Sequence, residues 1–296
     1  MINLENCPIC NEKETEEFLN TQDYFLTKED FSIVKCKGCG FRFTDPRPTE
    51  EAIGAYYDSD EYISHSNDNK GLINSVYQFV RNYSINKKVS LVQKYQKQGR
   101  VLDIGCGTGE FLNALSKSGF DTLGIEPNES ARKQGIDNYK IDVKEEKNIL
   151  DFKDSSFNVI TMWHVLEHVY NLDERVGQIQ RILKPDGLLI VAVPNPDSYD
   201  AKKYKKYWAA YDVPRHLYHF SQGDIKNLFE KISFDVIKIA PMKFDSYYVS
   251  LLSEKYKNGL SRILQAFLTG LKSNYYARNH QNNYSSLIYI LKPKKA

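Results

Sequence analysis

Residues Val101-Leu102-Asp103-Ile104-Gly105-Cys106-Gly107-Thr108-Gly109 constrain this chain more than any other stretch, because an apolar run breaks into three alternating glycines and resumes at once as Glu110-Phe111-Leu112. Glycine lets the backbone turn sharply and lets a ligand approach without a Cβ in the way, and the free N–H groups of the helix that follows favour polar or anionic groups. The stretch predicts a strand, a ligand loop and a helix. The pattern then repeats: strand 121–126, helix 129–134, short strand 139–142, strand 157–163, helix 172–183 and strand 188–193. Further on, 222–231 reads as a helix, 234–239 as a strand, 251–271 as helical and 286–292 as a closing strand. Alternation of this kind predicts a Rossmann-like α/β domain, a mostly parallel sheet with helices on both faces.

With 296 residues and roughly 150 per domain, the chain holds one large domain and a smaller appendage, or two domains. Apolar residues at 41% and charged residues at 26% exclude a disordered, collagenous or disulfide-scaffold chain. Forty Lys and Arg against 38 Asp and Glu leave a net charge of +2, too balanced for the long-range positive field of a general nucleic-acid binder. No run of about 18 apolar residues occurs, and MINLENCPIC lacks the charged-then-apolar pattern of a secretory signal, so a cytoplasmic protein without a membrane partner is expected. Nothing here sets the oligomeric state.

Four of the five cysteines fall in two Cys-x-x-Cys pairs, Cys7-Pro8-Ile9-Cys10 and Cys36-Lys37-Gly38-Cys39, with 25 residues between them. Each knuckle offers two thiolates from one tight turn, and four thiolates close a tetrahedron around zinc with no position left for water or substrate. A structural zinc ribbon is expected, with two reduced or redox-active pairs as the alternative. The expected organisation is a zinc-binding ribbon at 1–48, a helical connector at 49–98, and a ligand-binding domain at 99–296 carrying a lid insertion at about 195–220. In the connector, Leu72, Val76, Phe79, Val80 and Tyr83, then Ile85, Val89, Val92 and Tyr95, follow a helical period. Tyr56, Tyr57, Tyr62 and His65 either line a pocket from that side or pack between domains.

The loop spacing is Gly-x-Gly-x-Gly, not the dinucleotide fingerprint Gly-x-Gly-x-x-Gly, and Asp103 stands just before it. Glu126 ends the next strand, 21 residues after Gly105, where a carboxylate can accept both hydroxyls of a ribose. Over about two thirds of its length the chain thereby resembles the class I S-adenosylmethionine-dependent methyltransferases. The resemblance implies a seven-stranded sheet whose last strand is antiparallel. It also implies cofactor contacts at Asp103, Gly105, Cys106, Gly107, Gly109, Glu126, Pro127, Asp142, Trp163 and His164, with Asp142 beside the adenine. Leu183-Lys184-Pro185-Asp186-Gly187-Leu188-Leu189 is similar to the family's turn before strand five. Cys106, within the loop, reads as a small packing residue more than as a nucleophile. Together with the cysteine module, the chain resembles bacterial enzymes, including sugar C-methyltransferases, in which an N-terminal zinc module helps cover the substrate.

Methyl transfer from a sulfonium is an in-line displacement that also needs a base when the acceptor is a hydroxyl or carbon acid. His216, His168 and His164 are the candidate bases, His216 foremost, each with a structural role as the alternative. His164-Val165-Leu166-Glu167-His168 also fits the His-x-x-Glu-His pattern of inverted zinc peptidases, but it directly follows a strand in the methyltransferase frame. The insertion carries Tyr199, Tyr204, Tyr207, Trp208, Tyr211 and Arg215 amid four lysines, read either as a substrate lid or as aromatics packed on the sheet edge. The expected function is methyl transfer to a small-molecule acceptor, a sugar or nucleotide-linked metabolite among the options, with O-, N- and C-methylation all open. A zinc-ribbon interaction protein with a non-catalytic cofactor domain and an RNA methyltransferase are the alternatives.

Overall fold

The computed structural model describes residues 1–57 and 72–294, so Tyr62 and His65 lie outside the described residues. Strands β1 (Thr15–Gln22), β2 (Asp30–Cys36) and β3 (Arg42–Thr44) form an antiparallel sheet beside the cysteine knuckles. Helix α1 (Leu72–Tyr95) follows, and its Val89 and Val92 are buried against the larger sheet.

That sheet takes β4 (Arg100–Ile104), β5 (Asp121–Ile125), β6 (Asp142–Lys144), β7 (Phe157–Trp163) and β8 (Leu183–Pro194) from the repeating region. Helices α2 (Glu110–Lys117), α3 (Glu129–Tyr139) and α4 (Leu172–Ile182) connect them. Beyond β8 come α5 (Tyr199–Tyr204), the two-residue β9 (Tyr218–His219), α6 (Gln222–Glu230), β10 (Phe234–Pro241), α7 (Asp245–Asn258), α8 (Ile263–Asn279) and β11 (Ser286–Pro293). The seven strands stand in the order β10-β11-β8-β7-β4-β5-β6. β4 to β8 run parallel, and β11, inserted between β8 and β10, is antiparallel to both. The expected Rossmann-like sheet with an antiparallel last strand is therefore present.

Central strands covered on both faces read as continuous apolar runs. Val101, Leu102, Ile104, Val159, Ile160 and Met162 are all buried accordingly. Strand order reverses between β4 and β7, and at such a switch point a crevice opens outside the carboxyl ends. The glycine loop leaves β4 there, and His164 leaves β7 beside it.

Three expectations shift. Helix α3 runs on to Tyr139, so the third strand starts at Asp142 instead of ending there. The helical stretch 251–271 is two helices, parted at Gly259, whose φ of +72° ends α7. The segment expected as a lid is packed inside. Trp208 Nε1 donates to Asp200 Oδ2 (2.8 Å), and the Tyr204 hydroxyl donates to Glu254 Oε1 (2.9 Å). Tyr204, Trp208 and Tyr211 are buried with Phe31 and Ile33, so their rings are committed to packing.

The N-terminal sheet is completed from far along the chain. β9 pairs with β3, setting Phe43 opposite Tyr218 and Arg42 opposite His219. Phe41, Phe43, Tyr218 and Phe220 pack together and join the main core.

Candidate functional site

Gly105, Gly107 and Gly109 have φ of +70°, +54° and +77°, a region costly for any residue with a Cβ. Their surroundings differ. A Cβ on Gly105 would sit 2.4 Å from Val165 Cγ2, whereas one on Gly107 would meet nothing within 4 Å. Gly105 is thus required by packing, and Gly107 faces open space. Glu126 is turned back under this loop: its Oε2 accepts from Gly107 N (2.8 Å) and its Oε1 from Asn128 N (2.9 Å). Each oxygen retains a lone pair, and burial holds the carboxyl above its ordinary pKa. Pro127 follows, its carbonyl accepting from Arg132 (2.7 Å). These residues form a cradle suited to an adenosyl ribose.

Asp103 is buried at the end of β4, where it accepts from the Thr161 hydroxyl (2.5 Å). Burial pushes its carboxyl up to about 7, against the pull of the Thr161 bond and of Lys88. Lys88, from α1, lies with its ammonium 4.4 Å from the Trp163 ring centroid. Burial lowers its pKa, while Asp103 and Asp245 oppose that shift. Trp163 stacks edge-on against Phe111, and among the described residues its Nε1–H has no partner. An orphaned donor, an open cradle and a buried carboxylate are what a nucleoside with an amino-acid tail would use, so the residues present fit S-adenosylmethionine. Cys106 packs its sulfur over Gly124, where a Cβ would lie 2.5 Å away, and burial raises its thiol pKa, which suits a packing residue.

Asp142, expected beside the adenine, lies at the start of its strand. It opens β6 opposite Leu123, exposed and half a strand short of the carboxyl edge. The acid level with Glu126 is Glu145, since Glu126 N donates to the carbonyl of Lys144 (3.0 Å), the residue before it.

The three candidate histidines converge on one carboxylate. His164 leaves β7 at φ +58°, with its N–H donating to the carbonyl of Ala192 (2.9 Å). Leu166–His168 is a single 3₁₀ turn, not the α-helical turn implied by the His-x-x-Glu-His spacing. Glu167 is almost wholly buried. Its Oε1 lies 3.3 Å from His164 Nδ1 and 4.0 Å from His216 Nε2, and neither carboxylate oxygen accepts a well-formed hydrogen bond. The rings of His168 and His216 meet edge to face at 4.7 Å.

The environments of these rings differ. Burial opposes charge on His164, but Asp245, 3.2 Å from Nε2, and Glu167 outweigh it and raise the pKa to about 9. That ring stays protonated at neutral pH. Burial and the neighbouring His216 push His168 down to about 4, so it is neutral. Both remaining rings are pinned at Nδ1: His168 donates to the carbonyl of Arg215 (2.9 Å), with the Tyr57 hydroxyl 2.9 Å from the same nitrogen, and His216 donates to the carbonyl of Ala210 (2.9 Å). Arg215, from the insertion read as a lid, is held in a buried pair with Asp23 (2.8 Å) and a second contact to Asp212 (2.7 Å). The sequence reading left Glu167, Asp245 and Lys88 unassigned. Only Glu167 carried a signal, its place within His-x-x-Glu-His.

The four knuckle cysteines come together. Cys7 Sγ lies 3.6 Å from Cys39 Sγ, and Cys10 Sγ lies 3.5 Å from Cys36 Sγ, all within 4.8 Å of one another. Zinc–sulfur bonds of about 2.3 Å in a tetrahedron put sulfurs about 3.8 Å apart, so these thiols fit zinc. Among the described residues, no helix is long and apolar enough to cross a membrane.

Comparison with known proteins matches residues 78–239 to a family described as a methyltransferase domain. An uncharacterised protein of Methanocaldococcus jannaschii is 32% identical over 161 residues, covering 51% of this chain and 68% of the relative. A ubiquinone biosynthesis O-methyltransferase of Rhodopseudomonas palustris is 26% identical over 105 residues, 32% of this chain and only 40% of that protein. In fold, the chain is similar to a phosphoethanolamine N-methyltransferase 2 of Haemonchus contortus solved with S-adenosyl-L-methionine (TM-score 0.53, 15% identity, 95% of this chain and 69% of that one). It is likewise similar to a possible histamine N-methyltransferase of Thermotoga maritima (TM-score 0.51, 21% identity, 76% of this chain and 96% of that one).

Proposed function

Since this chain belongs to the methyltransferase-domain family, with the class I S-adenosylmethionine-dependent fold, we propose that it methylates a small acceptor docked beside Glu167, His168 and His216. The observation that carries this is the meeting, at one switch point, of a glycine cradle closed by Glu126 with a buried carboxylate flanked by the imidazoles of His168 and His216. Bound S-adenosylmethionine supplies a methyl group made electrophilic by its positive sulfur. Glu126 would hold the ribose hydroxyls, and Asp103, with Lys88 beside it, the charged amino-acid end. His216 is the proposed base, because Nδ1–H donation to Ala210 leaves the lone pair on Nε2, the nitrogen facing Glu167. His168 is the second choice, and His164, held as a cation by two carboxylates, is set aside as a base. The relative named for O-methylation in ubiquinone biosynthesis favours an oxygen acceptor, and a sugar or nucleotide-linked hydroxyl has the same chemistry.

The cysteine cluster supports a structural zinc, and residues 1–48 are proposed as its module. Calorimetry with S-adenosylmethionine, followed by detection of S-adenosylhomocysteine across quinol, sugar and phenol acceptors, tests the reading. Cofactor binding with turnover that His216→Gln removes is expected. Absence of cofactor binding by zinc-loaded protein overturns it.

A further inference from the structure

We propose that Glu167, His168 and His216 form a second metal site, separate from the cysteine cluster, which takes a first-row divalent ion and presents it to an oxygen of the acceptor. One donor atom from each lies within 4.8 Å of the others. Their hydrogen bonding points the same way. A ligating histidine almost always donates its other ring N–H to a carbonyl or carboxylate, which fixes the tautomer and aims the lone pair at the ion. Both imidazoles here do so, His168 to the carbonyl of Arg215 and His216 to the carbonyl of Ala210, each at 2.9 Å.

In each ring this leaves Nε2 as the nitrogen with a free lone pair, and in His216 that lone pair faces a carboxylate oxygen at 4.0 Å. A gap of this length between a ring nitrogen and a carboxylate oxygen leaves room for a cation that both can ligate. Glu167 adds a second, independent observation: it is 1% exposed, its Oε1 has an ion-pair contact with His164 Nδ1 (3.3 Å), and among the described residues neither oxygen accepts a well-formed hydrogen bond. Leaving Oε2 of a buried carboxylate without a partner is costly, and coordination offsets that cost.

Two nitrogens and one carboxylate from a protein leave coordination positions open, unlike the closed four-thiolate cluster. Such donors suit zinc, cobalt, manganese or ferrous iron more than magnesium or calcium, which prefer all-oxygen sites. The acceptor class follows from the open positions: a hydroxyl or enol oxygen that binds the ion, loses its proton to solvent as coordination lowers its pKa, and is held as a nucleophile. This part rests on the methyl-transfer reading of the pocket; ion binding does not. His216 is needed in either account, as a ligand when the ion is present and as the base when it is not.

The test is titration of zinc-loaded, otherwise ion-free protein with cobalt(II), read by visible absorption and by metal content per chain. One further equivalent, with the weak bands of nitrogen and oxygen donors and no thiolate charge-transfer band, is expected. Glu167→Gln and His216→Gln should each weaken it at least tenfold, and Cys10→Ser should leave it in place. A wild type that takes up cobalt only by displacing zinc at the thiolates overturns the site, and this arm requires no variant to fold. Calorimetry with S-adenosylmethionine on the same samples separates the two readings: cofactor binding without a second ion sinks the metal site alone, and a second ion without cofactor binding sinks the methyl-transfer reading alone.

Discussion

At the scale of single residues, the carboxylates of the cofactor crevice carry the sharpest expectations. Asp103 titrates near 7 because it is buried. Its folded pKa lies above its unfolded one, so the ligand-free protein should lose stability as pH rises from about 4 to about 7, where the unfolded chain releases a proton that the folded state keeps. A cationic cofactor tail favours the ionised form. Affinity for S-adenosylmethionine, measured by calorimetry, should therefore rise between pH 6 and pH 8 and then level off, and Asp103→Asn should flatten the profile. Glu126→Ala should weaken cofactor binding about ten- to a hundred-fold, the worth of hydrogen bonds to a charged acceptor. Both acids were legible in the sequence because a strand ending in glycines, and a strand ending in a carboxylate, fix where the residue sits along the strand. The third strand was set three residues early, since nothing in Tyr139-Lys140-Ile141-Asp142 marks where the preceding helix stops.

At the scale of elements, the glycine loop separates folding from binding. Gly105 and Gly107 both have positive φ, but only Gly105 is walled in, by Val165. Gly105→Ala should lower the melting temperature well beyond Gly107→Ala, whereas Gly107→Ala should cost cofactor affinity with a smaller loss of stability. Differential scanning fluorimetry with and without cofactor reads both effects. Helix α6 begins with a full capping box, in which the Ser221 hydroxyl accepts from Asp224 N (3.3 Å) and Asp224 Oδ2 accepts from Ser221 N (2.8 Å). Ser221→Ala should cost about 1 kcal/mol in a urea titration. The sequence reading placed this helix at 222–231 but ran through the break at Gly259, where the apolar residues on both sides suit either one helix or two.

For the whole molecule, the decisive joint is the one between the cysteine-bearing sheet and the catalytic crevice. Asp23 and Arg215 pair at 0% and 1% side-chain exposure, and the carbonyl of Arg215 receives the Nδ1–H of His168. Breaking a buried pair leaves a charge without a partner, so Asp23→Ala should destabilise the protein by about 3 kcal/mol, less than a lone pair would lose because Asp212 also contacts Arg215. The shift of the urea midpoint measures this. The same variant should disturb turnover more than cofactor affinity, since the Arg215 carbonyl holds the ring of His168, which belongs to the proposed acceptor side.

The sequence by itself determined the alternating strands and helices of a mostly parallel sheet, the glycine loop, the acid that ends the next strand and the pairing of the two cysteine knuckles. Each of these is a local pattern, whose meaning lies in glycine's freedom, strand periodicity or the reach of one tight turn. Only the tertiary structure decided that β9 completes the N-terminal sheet, that the aromatics of 195–220 are spent on packing, and that three histidines surround Glu167. Those outcomes depend on contacts between segments far apart in the chain, where burial and the pairing of charges, not local preference, select the arrangement.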